Sequence, residues 1–223
     1  MKIVLHACCG PCSTVPLKLM AEQGHEVCIF FSNSNIHPEA EYLRRRDTIA
    51  AYAADLGVEL VEGSYDPNAW IKAIGEHRAY GIERCRRCYR QRFAEPAAYA
   101  AEIGADAIAS SLTISPYQFT DAINEELAAA AEAHDITAIE SDYRERYHDS
   151  VVLSRAAGMY RQNFCGCMFS QVEAQEHRDR AREQRRQARE LRRLARMAKL
   201  AQESARLAGE VLLDSSEGAR DAD

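Results

Sequence analysis

Short apolar runs alternate with stretches of helical spacing through the first 140 residues, and this alternation narrows the fold more than any other feature of the chain. Lys2–His6 reads as a buried strand, followed by a turn at Gly10-Pro11 and a helix over 13–23. Glu26–Phe31 is a second strand, closed by the polar run Ser32-Asn33-Ser34-Asn35. Glu39–Leu56 has helical spacing, and Gly57 supplies a C-terminal stop. Residues 58–61 read as a third strand, and Asp66-Pro67 opens a short helix. A helix is predicted over 86–102, kinked or broken at Pro96, then a strand over 106–110, an alanine-rich helix over 123–133 and a fifth strand over 136–139. Strands alternating with helices of this length imply βαβ units. The expected fold class is α/β: a Rossmann-type parallel sheet of about five strands with helices on both faces.

In such sheets, ligands bind outside the carboxyl ends of the strands, near the point where strand order reverses. Here those ends carry unusual residues: Cys8-Cys9, then Asn33 to His37, then Tyr65-Asp66, then Ser110-Ser111. One sheet edge therefore gathers the polar and thiol side chains. A nucleotide-binding domain would place a glycine-rich turn or a pyrophosphatase loop after the first strand. This chain has Cys8-Cys9-Gly10-Pro11-Cys12-Ser13 instead, which counts against ATP use and against a tRNA-thiolating enzyme of the pyrophosphatase-loop type.

The chain has eight cysteines, seven of them in three groups: Cys8-Cys9 with Cys12, Cys85 with Cys88, and Cys165 with Cys167. Cys28 stands alone in an apolar strand and reads as a small core residue. The chain is larger than a disulfide-stapled secreted domain and Ile3 to Leu5 runs straight into His6, unlike a signal peptide, so the expected compartment is the cytoplasm. In a reducing compartment, close-spaced thiols act as metal ligands or redox groups. One zinc takes four thiolates, which would suit a non-enzymatic module that recruits a partner. Seven thiols exceed that number. Four can hold a [4Fe–4S] cluster and three remain for a second metal with an open coordination position.

Other polar residues sit where they could serve such a centre. Asn33, Asn35 and His37 share one strand-end loop, where they could cap a helix or meet a substrate. Arg44, Arg45 and Arg46 share a helix. Tyr160, Arg161 and Asn163 directly precede the last thiol pair, and Asp142 follows the fifth strand, where it could donate a proton or cap a helix.

Beyond Gln171 the composition changes. Residues 171–213 are rich in Ala, Arg, Glu, Gln and Leu without proline, predicting a long helix with a narrow stripe at Leu191, Leu194, Met197 and Leu200. The expected division is a catalytic domain over 1–170, an Arg-rich helical extension over 171–213 and a disordered tail over 214–223. Between Arg178 and Lys199, ten basic residues face three acidic ones, although the whole chain carries a net charge of −6. Such a segment is either a solvated, salt-bridged helix or a footprint for a polyanion. No run of roughly 18 apolar residues exists, so no membrane partner is expected.

Taken together, the motifs resemble the QueH family of epoxyqueuosine reductases. The matching stretches are Leu5-His6-Ala7-Cys8-Cys9-Gly10-Pro11-Cys12, Asn35-Ile36-His37-Pro38 with Glu41-Tyr42, and Glu62-Gly63-Ser64-Tyr65-Asp66. They continue with Glu83-Arg84-Cys85, Cys88-Tyr89, Ser110-Ser111-Leu112, Ile114-Ser115-Pro116, and Gly158 through Cys167. The resemblance covers residues 2 to 170 and leaves out the Arg-rich segment. It implies a HUP-like domain that reduces the epoxide of epoxyqueuosine to queuosine at the wobble position of a tRNA with a GUN-type anticodon, without cobalamin. The expected cofactors are a [4Fe–4S] cluster and a second mononuclear metal, taken as iron, on Cys8, Cys9, Cys12, Cys85, Cys88, Cys165 and Cys167. Electrons would come from an external donor of ferredoxin or flavodoxin type. Tyr160 and Asp142 are the candidate proton donors, and His37, Tyr42, Arg45 and Arg161 the candidate contacts to tRNA.

Overall fold

The computed structural model of the chain describes residues 1–79 and 81–217. Its elements run β1 (Lys2–His6), α1 (Gly10–Glu22), β2 (Glu26–Phe31), α2 (Glu39–Leu56), β3 (Glu59–Glu62), α3 (Pro67–Ile74) and α4 (Ile82–Glu102). They continue with β4 (Ala107–Ser110), α5 (Thr120–Glu132), β5 (Thr137–Ile139), α6 (Tyr147–Ala156) and α7 (Met168–Glu217), with single 3₁₀ turns at Ser111–Ile114 and Arg144–Arg146. All five strands are parallel, in the order β3-β2-β1-β4-β5. Leu5 pairs with Ile29 on one side and Ala109 on the other, so β1 is central. Strand order reverses between β1 and β4, and the crevice outside their carboxyl ends is the place such a sheet offers a ligand.

Alternate residues of β1 serve opposite faces, as the period of two along a strand requires. Ile3 and Leu5 pack with Leu17 and Met20 of α1 and Ile49 and Ala53 of α2. Val4 packs with Phe30, Ala100 and Ala105 on the other face, where Ile108 meets Phe93 and Ala97 of α4 and Ile123 and Leu127 of α5. Burial on both faces explains why the strands read as continuous apolar runs.

Several boundaries differ from the sequence expectation. Helix α1 starts at Gly10 rather than Ser13, because proline is tolerated in a first turn and the Cys9 sulfur caps it by accepting from the Cys12 amide at 3.4 Å. Helix α4 begins at Ile82, four residues early, and passes through Pro96 unbroken. The burial of Phe93, Pro96, Ala97 and Ala100 against the sheet compensates for one missing backbone bond. Helix α6 and the two 3₁₀ turns had no clear sequence signal. Helix α7 starts at Met168 and continues to Glu217, so residues 214–217 are helical rather than part of a disordered tail. The rest of that expected tail, 218–223, lies outside the described residues.

The chain divides into two compact units, Met1–Glu173 and Ala174–Asp223. The described side chains of the second unit are largely solvated, with ion pairs such as Arg182–Asp179 and Arg186–Glu183 one turn apart. Among the described residues, no helix is long and apolar enough to cross a membrane.

Candidate metal centre

The first thiol group forms where β1 passes into α1. His6, the last residue of the strand, is buried; its ring meets the Ser110 hydroxyl at 3.3 Å and the Ser32 carbonyl at 3.2 Å. Burial, with Arg92 nearby, pushes its pKa down to about 3, so the ring is neutral. The Cys8 amide then donates to Ser111 Oγ at 3.3 Å, joining β1 to the residue after β4. Gly10 is closely packed here, since a Cβ would stand 3.0 Å from Thr48 Cγ2 and 3.2 Å from Met159 Sδ. The turn brings the sulfurs of Cys8, Cys9 and Cys12 within 4.8 Å of one another, with Cys8 and Cys9 at 3.6 Å.

Metal–sulfur bonds of about 2.3 Å in a tetrahedron set neighbouring sulfurs roughly 3.8 Å apart. The three thiols therefore fit one ion and leave its fourth position open. Hydrogen bonds from Cys12 and Cys9 hold the Cys8 thiol well below its ordinary value. Burial pushes Cys9 up, and the hydrogen bond to Cys8 pushes Cys12 up. A bound cation would favour the thiolate form of all three. The side-chain amide of Gln162 donates to Cys9 Sγ at 2.6 Å and lies 3.7 Å from Cys12 Sγ.

The second group draws on two distant segments. Cys85 and Cys88 lie one turn apart on α4, and Cys165 and Cys167 flank Gly166 ahead of α7. Gly166 has φ 131°, and a Cβ there would meet Ile36 Cγ1 at 2.9 Å and Arg45 Nη1 at 3.1 Å. The loop is held from outside by Arg45, only 1% exposed. Its guanidinium donates to the carbonyls of Cys165 at 2.8 Å and Phe164 at 3.2 Å, and pairs with Glu41 at 2.7 Å. The His37 amide donates to the Gly166 carbonyl at 2.9 Å. Cys88 and Cys167 are buried against Trp70 and Ile74.

Burial, reinforced by the neighbouring thiols, pushes Cys85 up to about 12. Burial acts the same way on Cys88, also to about 12, and raises Cys167. No three of these four sulfurs converge as closely as the first group does.

Buried polar atoms without a partner collect around this second group: both side-chain atoms of Asn35, His37 Nε2, Trp70 Nε1, and Nε and Nη1 of Arg92. Asn35 lies beside Gly166, and Trp70 beside Cys88 and Cys167. Folded domains leave few such atoms unpaired, and a local concentration of them fits a pocket that receives a polar guest. Such a guest would present acceptors to the donors among them, Asn35 Nδ2, Trp70 Nε1 and the two Arg92 nitrogens.

The structure places the remaining predicted residues unevenly. Tyr160 donates its hydroxyl to Glu41 Oε2 at 2.8 Å and lies beneath the Arg44 guanidinium, 3.8 Å from the ring centre. It thereby joins the Glu41–Arg45 pair that holds the thiol loop. Tyr42 is a core residue: it stacks on Tyr65 at 3.9 Å and donates to Glu62 at 2.8 Å. Arg45 is engaged with backbone carbonyls and Glu41, as above. Arg161 donates to the Val151 carbonyl at 2.9 Å and to Ser154 Oγ at 3.1 Å, tying its segment to α6. His37 directs Nδ1 to the Asn35 carbonyl at 2.8 Å and leaves Nε2 unpartnered.

Asp142 is exposed and paired with Arg144 at 2.8 Å. That hydrogen bond holds its carboxyl below the ordinary value, so it is ionised near neutrality and is unsuited to donating a proton. Two residues escaped the sequence reading. Gln162 lies within the stretch that precedes the thiol pair, where only its neighbours Tyr160, Arg161 and Asn163 drew attention. Arg92 falls one turn after Cys88, on the face that also carries Cys85, and helical spacing could have pointed to it.

The family described as epoxyqueuosine reductase QueH matches residues 3–173. The epoxyqueuosine reductase QueH of Dehalococcoides mccartyi is 37% identical over 174 residues, spanning 77% of this chain and 93% of that protein. That of Streptococcus pyogenes serotype M1 is 34% identical over 178 residues, 75% of this chain and 69% of its own length. The Haemophilus influenzae protein of the same name is 32% identical over 189 residues, 80% and 75% of the two chains. The family match contains all seven clustered cysteines and ends where the first compact unit ends. This chain belongs to the epoxyqueuosine reductase QueH family.

Proposed function

We propose that this chain reduces the epoxide of epoxyqueuosine in tRNA to the cyclopentene of queuosine, using iron–sulfur chemistry and no cobalamin. The observation that carries the mechanism is the convergence of Cys8, Cys9 and Cys12 at one place, with four further free thiols in two pairs, Cys85 with Cys88 and Cys165 with Cys167. The reaction adds two electrons and two protons, breaks both carbon–oxygen bonds of the epoxide and releases water. When bound, a [4Fe–4S] cluster on Cys85, Cys88, Cys165 and Cys167 would supply electrons singly, and an iron ion on Cys8, Cys9 and Cys12 would offer a Lewis-acidic position.

The rest falls to the chain itself. Cys8, at the switch point of the sheet, puts its group where a ligand of such a fold enters. Gln162 donates to Cys9 Sγ from the opposite segment. Burial and the hydrogen bond to Glu41 raise the Tyr160 phenol, so it retains its proton until the substrate oxygen demands one. Tyr160 is therefore the candidate proton donor that remains.

The base must leave its stack to enter the crevice. His37 Nε2 is a buried polar atom available to it, whereas Tyr42, Arg45 and Arg161 support the site from behind. The basic face of α7, with Arg182, Arg185, Arg186, Arg189 and Arg193, suits the phosphates of a GUN-type tRNA, an affinity that would fall steeply with salt. Electrons would enter from a ferredoxin- or flavodoxin-type donor.

The test is to incubate protein reconstituted with iron and sulfide, a chemical reductant and epoxyqueuosine-tRNA, and then weigh the released nucleosides. Queuosine, lighter by one oxygen, is the expected product. Unchanged nucleoside mass with fully loaded protein would overturn the proposal, and a colourless protein holding only zinc would overturn its iron–sulfur chemistry.

A further inference from the structure

A charged guanidinium buried away from water carries a large desolvation penalty unless opposite charge or hydrogen-bond acceptors meet it. Arg92 is 1% exposed, and no carboxylate among the described residues lies within 4 Å of it. Its Nη2 donates to Asn33 Oδ1 at 2.6 Å, a neutral acceptor, while Nε and Nη1 have no partner. The other buried arginines fare differently: Arg45 pairs with Glu41, and Arg84 makes two 2.7 Å contacts to Glu173.

Arg92 sits on the face of α4 that carries Cys85 and Cys88, one turn further on. Its electrostatic neighbours are the sulfurs of Cys88 and Cys165 from the second thiol group and Cys8 from the first. The guanidinium is thus within electrostatic reach of sulfurs of both groups, with Nε and Nη1 unused.

We infer that Arg92 is a cofactor-positioning residue: its buried positive charge and its unpartnered Nε and Nη1 donors would serve a bound cluster and set its reduction potential upward. The inference rests on the iron–sulfur reading above. Reduction adds one electron to an already anionic centre, and a fixed cation beside it stabilises the reduced form more than the oxidised one. The free donors would meet sulfide or thiolate acceptors, whose hydrogen bonds shift the potential in the same direction. A guanidinium needed only for packing would gain nothing from being charged.

The experiment uses full-length protein reconstituted with iron and sulfide, and follows the reduced cluster by its paramagnetic resonance at poised potentials. In Arg92→Gln, at the potential that half-reduces the wild type, the ratio of reduced to oxidised cluster should fall at least tenfold, which is about 59 mV for one electron. Arg92→Lys, which retains the charge, should recover most of that loss. Asn33→Asp, nearly isosteric, places a carboxylate against the guanidinium and should lower the ratio in the same direction.

Wild-type ratios in a loaded Arg92→Gln protein would overturn the inference. Where Arg92→Gln fails to load, loading by Arg92→Lys supports the need for charge. Loading by neither substitution, with an unshifted Asn33→Asp potential, assigns Arg92 to packing alone. Absence of sulfide from the wild type would instead defeat the iron–sulfur reading itself.

Discussion

The two thiol groups stand on one sheet edge but are built by opposite means. Cys8, Cys9 and Cys12 are placed by the end of one strand and the first turn of one helix, so local backbone geometry alone draws their sulfurs within 4.8 Å. Cys85 and Cys88 come from α4, whereas Cys165 and Cys167 arrive from a loop far along the chain. Closing so long a loop opposes its assembly through chain entropy, and buried struts must offset that term. Arg45 is one strut, gripping the carbonyls of Cys165 and Phe164, and the Arg84–Glu173 pair fastens the start of α7 to α4. The compact group needs only its turn, and the dispersed group needs the rest of the domain.

Removing ligands should give the largest effect and separate the groups most sharply. Cys165→Ser is expected to abolish acid-labile sulfide and reduce activity to background. Cys9→Ser is expected to retain sulfide and lose roughly one iron per chain, together with activity. Metal and sulfide analysis after anaerobic reconstitution reads both. Equal loss of sulfide in the two variants would show a single continuous site and end the contrast.

Next in size is Arg45→Met, which fills most of the guanidinium's volume but leaves Glu41 and two carbonyls without their donor. Breaking a buried ion pair by removing one partner costs about 3–5 kcal/mol, which urea unfolding of the metal-free protein can measure. Sulfide content should fall with it, while the ion on the compact group stays bound. Full sulfide loading in this variant would show that the dispersed group closes without its strut.

The sequence exposed the local half of this design and concealed the other. The five strands and their parallel pairing followed from apolar runs and helical spacing, because burial on both faces leaves so plain a pattern, whereas the strand order came only from the fold. The seven thiols stood out by their spacing. What held them did not: Arg45 looked like a contact for tRNA, yet its partners Cys165 and Phe164 are joined to it only by the fold. Tyr42 likewise looked accessible beside the loop motif, but helix α2 turns it into the core against Phe31 and Tyr65. Asp142 carried the right chemistry, and only the placement of Arg144 showed that its carboxylate was already committed. Side-chain partners across long sequence separations leave no periodic trace.

The smallest effect should come from Gln162→Leu, which asks whether the compact group also leans on a distant residue. The Gln162 amide donates to Cys9 Sγ, but its carbonyl oxygen is buried without a partner. The substitution removes the hydrogen bond to Cys9, worth about 1 kcal/mol, and a longer one to Cys12, and at the same time relieves an unsatisfied acceptor. Leucine occupies similar space, so the two terms nearly cancel and stability should change by less than about 1 kcal/mol. Iron and sulfide content should match the wild type, since the β1–α1 turn still sets the three sulfurs. Loss of one iron from Gln162→Leu would mean that this group too depends on the segment before Cys165, and the compact site would then be as much a product of the tertiary fold as the dispersed one.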